Sequence, residues 1–143
     1  MNETIQSGAQ KASVSRKAIW AGYIMSLLPV LLLLMSGIMK LMKAKVVVDG
    51  FAHLGIAEKL IYSIGALELG CTLLYIIPQT SFLGAILLTG YLGGAILAQL
   101  RVGEAIIPQI LFGVLIWGGL FLRDPRLRAL IPLKKRYSTA EPR

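Results

Sequence analysis

Long apolar runs, broken by brief polar stretches, set the pattern of this chain. Ala18 to Met39 is apolar apart from Ser26 and Ser36, and further runs cover about Leu60 to Ile77, Ser81 to Leu100 and Ala105 to Leu122. A bilayer-spanning helix needs ~20 mostly apolar residues. Each run approaches that length, whereas the apolar stripe of a soluble helix recurs every three or four positions. Four membrane spans are therefore predicted, packed as an all-α, antiparallel four-helix bundle. Pro78-Gln79-Thr80 is too short a link to let spans two and three be anything but antiparallel neighbours. Arg101 to Glu104 makes a second tight turn. Pro108 sits in the first turn of span four, where its missing N–H is tolerated, and Asp124-Pro125 closes that span. Residues 40–59 mix Lys40, Lys43, Lys45, Asp49, His53, Glu58 and Lys59 with apolar positions, which predicts an interfacial segment between spans one and two. The domain reading is a polar tail over 1–17, a four-span unit over 18–133 and a basic tail over 134–143.

Composition agrees. Of the 143 residues 56% are hydrophobic and only 15% charged, and most charges fall outside the runs. The first run is too long for a signal peptide and leads into Lys40-Leu41-Met42-Lys43, a poor cleavage site, so it is read as a retained span. The net charge of +8 lies beside the spans rather than in a nucleic-acid-binding patch. Lys11, Arg16 and Lys17 precede span one; Arg123, Arg126, Arg128, Lys134, Lys135 and Arg136 follow span four. By the positive-inside rule both termini are expected in the cytoplasm, with membrane lipids as partners and no nucleic acid. Trp20, Tyr23, Tyr75, Phe82 and Trp117 would then lie toward the inner interface. Cys71 is the single cysteine and His53 the single histidine, so neither a dithiol pair nor a histidine cluster is available for independent redox chemistry.

Helices in lipid associate through close packing and polar links. Gly90 and Gly94 form a G-x-x-x-G pair expected to press against another helix. Gly22/Ser26 and Ala66/Gly70 repeat that spacing, and a homodimer through such a face is an alternative. Glu68 is the most informative polar residue. It lies mid-span, where an acidic side chain costs roughly 2.5–3.5 kcal/mol to insert, and Gly65, Cys71, Thr72 and Tyr75 on its face point it into the bundle. Tyr91 is at matching depth on the next helix, so a Glu68–Tyr91 hydrogen bond is expected; Thr89 is as deep but on another face. Ser36 and Lys40 share a face of span one. Lys40, near the outer boundary, is expected to snorkel to the surface; the alternative turns it inward to pair with Glu68, across an offset of roughly 15 Å by helical rise that needs tilt or intervening water. Gln99 and Arg101 would cap the outer end.

Ser36-Gly37-x-x-Lys40, Leu67-Glu68-Leu69, Thr89-Gly90-Tyr91-Leu92-Gly93-Gly94-Ala95 and the stretch from Trp117-Gly118-Gly119-Leu120 through Arg123-Asp124-Pro125-Arg126-Leu127-Arg128 resemble the DoxX-like membrane proteins over about residues 18–133. Gln99 stands where many of that family carry His. The resemblance implies a four-helix protein of the bacterial inner membrane, in a family named for a subunit linked to thiosulfate–quinone oxidoreduction. The leading functional expectation is an accessory subunit, without catalytic activity of its own, that binds a quinone or lipid through Glu68, Tyr91, Lys40, Ser36, Thr72 and Gln99. A quinone is the one candidate cofactor. The alternatives are a subunit of a membrane oxidoreductase working with a partner and, with less support, a small transporter or channel.

Overall fold

The computed structural model describes residues 16–130, with side chains through Leu127. The tails expected over 134–143 and most of 1–17 lie outside these residues, as does the end of the 18–133 unit. Helix α1 spans Arg16–Leu41, α2 Lys45–His53, α3 Ile61–Ile76, α4 Ser81–Leu100, α5 Ile107–Arg123 and α6 Pro125–Leu130, with a 3₁₀ turn at Glu58–Leu60 leading into α3. Three helical stretches, Arg16–Leu41, Glu58–Ile76 and Ser81–Leu100, are long and apolar enough to cross a membrane. The apolar α5 is shorter at 17 residues, about 25 Å by helical rise. The third run matches its helix to the residue, and the others shift by one or two positions. Helix α1 begins at Arg16, inside the stretch read as tail.

These boundaries have local causes. Helices α1, α2 and α4 end in the same motif, in which successive N–H groups reach back over the last turn: Lys43 to Lys40 O and Ala44 to Met39 O, Gly55 to Ala52 O and Ile56 to Phe51 O, Gly103 to Leu100 O and Glu104 to Gln99 O. The motif needs a left-handed residue. Gly55 and Gly103 supply it at φ +68° and +77°, whereas Lys43 accepts it at φ 47°. At the junction of α5 and α6, Asp124 Oδ1 accepts the Arg126 N–H at 2.9 Å with Pro125 at the first helical position, a strong N-terminal signal.

Helix α1 packs on α3 and α5, and α4 packs on the same two, so the four long helices form a ring of neighbours. Large apolar side chains such as Trp20, Ile24, Leu31, Leu73, Leu83 and Val114 remain exposed around its outside. A soluble surface does not tolerate that apolar belt, and lipid does. The interior of one end, here called lower, centres on Tyr75, which is fully buried. Its hydroxyl donates to Ile116 O of α5 at 2.8 Å and lies 2.9 Å from Ser26 Oγ of α1. Arg123 donates to Tyr75 O at 3.0 Å, with its guanidinium 4.5 Å from the ring centre. Tyr75 is thus a core residue, not the interfacial aromatic expected, because α1 and α5 supply polar partners for its hydroxyl and carbonyl. Trp117 is half-buried and donates to Thr89 Oγ1 at 2.9 Å, edge-on to the exposed Phe82.

Close approach is concentrated where side chains are missing. A Cβ on Gly22 would meet Gly119 O and Arg123 N at 2.8 Å, and one on Gly84 would strike the Tyr75 backbone. Farther up, a Cβ on Gly37 would meet the Leu69 side chain at 2.6 Å. The expectation for Gly90 and Gly94 fails: a Cβ at either would meet nothing within 4 Å. Their spacing is that of a packing motif, but the side they present faces a cavity.

Gly84→Leu is expected to lower the melting temperature in detergent sharply, because overpacking against backbone costs about 1–3 kcal/mol or more. Gly93→Leu, whose Cβ meets nothing within 4 Å, should melt as wild type. Equal melting of the two variants would contradict the crossing described.

Candidate functional site

At the opposite, upper end the ring encloses a cavity of ≈ 660 Å³, within the usual range for small-molecule sites. Its walls are mainly apolar, with Leu33 from α1, Ile64 and Leu67 from α3, Leu92 and Ala95 from α4 and Phe112 from α5. Phe51 of α2, Leu54 and Ile56 form its roof. The segment expected at the interface is thus a nine-residue helix and turn that places one buried aromatic, Phe51, over the cavity. An ion pair and a hydrogen bond hold this roof: Lys43 Nζ to Glu58 Oε1 at 2.8 Å, and His53 Nε2 to Glu104 Oε1 at 3.1 Å, tying it to the α4–α5 turn. The hydrogen bond to Glu58 raises the Lys43 pKa above the ordinary lysine value.

The polar side of the cavity is a four-residue cluster. Lys40 Nζ lies 2.8 Å from Glu68 Oε2, with side-chain exposures of 10% and 2%. Lys40 also donates to Ser36 Oγ, which donates in turn to Glu68 Oε2 at 3.4 Å. The Tyr91 hydroxyl interacts with the Glu68 carboxyl from α4. Lys40 therefore does not snorkel. The 15 Å estimate counted both helices from a common boundary, and they do not share one. A Cβ on Gly65 would lie 2.8 Å from Lys40 Cβ, which puts Lys40 level with Gly65 and only about 4.5 Å above Glu68. Contacts between α1 and α3 ascend one helix as they descend the other, from Ser26–Tyr75 to Lys40–Gly65. Because helical side chains lean toward their own N-terminus, Lys40 leans down and Glu68 leans up, closing the remaining gap.

Of the six residues singled out in the sequence, Ser36, Lys40, Glu68, Tyr91 and Gln99 line this cavity. Thr72 does not: it is fully buried and donates to Glu68 O at 2.7 Å within its own helix. The sequence reading passed over Gln109, whose amide lines the same cavity. Its signal was a polar residue one step after Pro108 in an otherwise apolar run. The side-chain oxygens of Gln99 and Gln109 are buried without a hydrogen-bond partner, a costly condition unless a donor from outside the chain meets them. A smaller hollow of ≈ 280 Å³ at the lower end is lined by Tyr23, Arg123, Asp124 and Arg126, but Arg123 and Asp124 are already engaged there.

Lys40→Met should destabilise the protein by about 3–5 kcal/mol, since it strands a buried carboxylate. Adding Glu68→Leu to Lys40→Met should recover much of the loss, because the second change removes the orphaned charge. Additive losses in thermal unfolding would show that the two side chains are not coupled.

The sequence profile of the DoxX-like family matches residues 24–119. That range takes in the Lys40–Glu68 pair, Tyr91, both glutamines and the glycine crossings at Gly37, Gly65, Gly84 and Gly119. No curated protein and no solved structure matches the chain. With well over half its length covered by that profile, and with apolar helices of membrane-spanning length, the chain is a membrane protein that belongs to the DoxX-like family.

Proposed function

We propose that this protein binds a hydrophobic small molecule, a quinone or a lipid, in the cavity at the upper end of an antiparallel four-span bundle in the bacterial inner membrane. The observation that carries the reading is one cavity with apolar walls and a converging polar cluster of Ser36, Lys40, Glu68 and Tyr91. Apolar walls hold a ring or chain, while a few placed polar groups orient a head. A carbonyl on that head finds donors in Lys40 and Tyr91; a hydroxyl finds acceptors in Glu68 and the free oxygens of Gln99 and Gln109. In this reading the protein is an accessory subunit that holds its ligand without transforming it.

One feature favours the quinone-linked oxidoreductase alternative. Ser36, Lys40 and Glu68 form a contiguous hydrogen-bonding set beside the cavity, with the Tyr91 hydroxyl near Glu68, suited to passing protons to a ring whose electrons come from a partner subunit. Glu68→Gln separates the two readings, since it keeps shape and most hydrogen bonding but removes titration. Simple binding survives that change; proton-coupled turnover with a partner does not.

Native mass spectrometry of gently solubilised protein should show a co-purified quinone or lipid on the wild type and its loss from Glu68→Leu. An empty wild-type protein, or equal occupancy in both, would remove the proposal. For the topology, Ile5→Cys and Ala140→Cys in a Cys71→Ala background should resist impermeant thiol reagents in intact cells. Labelling of either from outside would reverse the assignment of the lower end to the cytoplasm.

A further inference from the structure

We infer that the ligand reaches this cavity sideways, out of the hydrocarbon of the bilayer, through the gap between α3 and α4, with Gly90 and Gly94 as the open side of the doorway. The inference rests on the binding reading above and adds a route to it.

The walls differ in how they are closed. Phe51, Leu54 and Ile56 cover the upper, water-facing end, and the Lys43–Glu58 and His53–Glu104 pairs fasten that cover at both sides. Below, the buried Leu88 and Tyr75 belong to the packed core of the lower end. On the α1–α3 side, Gly37 and Gly65 bring the helices into backbone contact and the Lys40–Glu68 pair fills the seam. Between α3 and α4 the closure is incomplete. Leu67 lines the cavity and is still 55% exposed on the outer surface. Gly90 and Gly94, opposite it on α4, also line the cavity, are exposed, and have open space where a Cβ would stand. The backbones of the same two helices press together at their lower ends, where Gly84 meets Tyr75, while higher up Tyr91 reaches Glu68 on the inner side of the seam.

Glycines four apart share one helix face, so their absent side chains leave a continuous groove from the lipid-facing surface to the cavity. A flat ring or a single acyl chain fits such a slot, and its tail can stay in lipid while its head advances. The head would end near the unpartnered oxygens of Gln99 and Gln109, which call for a hydrogen-bond donor. The occupant is thus a membrane-dissolved molecule with a slender apolar tail and a head able to donate. A reduced isoprenoid-type ring and a glycerolipid headgroup both meet that description.

The test uses the full-length protein in lipid nanodiscs with two radiolabelled probes of equal chain length, a decyl-substituted benzoquinol and a decanoyl monoglyceride. Whichever probe binds saturably identifies the source of the head, and its association and dissociation rates are then compared between variants. Gly90→Leu and Gly94→Leu should slow both rates on the order of tenfold with melting temperature unchanged. Leu31→Trp, on the exposed face of α1 and outside the cavity lining, should leave both within twofold. Saturable binding with both rates unchanged in the glycine variants would place the route elsewhere and overturn the inference while leaving the site intact. Faster dissociation alone in the glycine variants would mean a narrowed pocket rather than a blocked door, and would overturn it too. Binding of neither probe to the wild type would overturn route and site together.

Discussion

Lipid tails offer a helix as good a surface as another helix does, so the four long helices gain nothing from apolar burial alone. What draws them together is close backbone approach where a side chain is missing. Gly22 and Gly119 seat α1 on α5, Gly84 seats α4 on the Tyr75 turn of α3, and Gly37 with Gly65 seats α1 on α3. Two of these contacts lie at the lower end, and only the α1–α3 contact reaches the upper one. The cavity occupies the part of the ring where α4 and α5 have no such seat. Tyr75 reinforces the asymmetry, because its hydroxyl and carbonyl bind α1 and α5 at the end already closed by glycine contacts.

The Lys40–Glu68 pair belongs to this geometry. Burying either charge alone in a membrane protein is costly, and mutual attraction offsets that cost only where the distance is short and further hydrogen bonds complete the shells. Gly65 makes the distance short, since any larger residue there would collide with the Lys40 stem. Ser36 supplies a further partner to both charges. The result is a polar wall set inside the apolar lining, beside two glutamine oxygens that meet no donor among the described residues. A polar cluster of this kind joins α1 to α3 by the same contacts that give the cavity its polar wall.

Much of the candidate site could be read from residue type and spacing. A carboxylate in the middle of an apolar run had to face inward, and Tyr91 had to be at its depth, because a short turn sets the register of adjacent helices. Lys40 was misplaced because rise per residue measures position along one axis only; it carries neither the relative offset of two helices nor the lean of their side chains. The glycine pair in α4 was misread for a related reason. Spacing shows that Gly90 and Gly94 share a face, but not what stands opposite it. Gln109 was overlooked because one amide near a span end is ordinary in sequence and becomes notable only when its oxygen is buried without a partner.

By itself, then, the sequence determined the helices, their approximate ends and their membrane setting. Those follow from requirements each segment meets alone: every backbone group must be satisfied within the helix, and every outward side chain must suit lipid. Tertiary structure alone decided which small residues are contacts and which border empty space, which charge Glu68 meets, and that the α1–α3 connection is a roof. These depend on distances between segments far apart in the chain, and no local rule of composition or period encodes them.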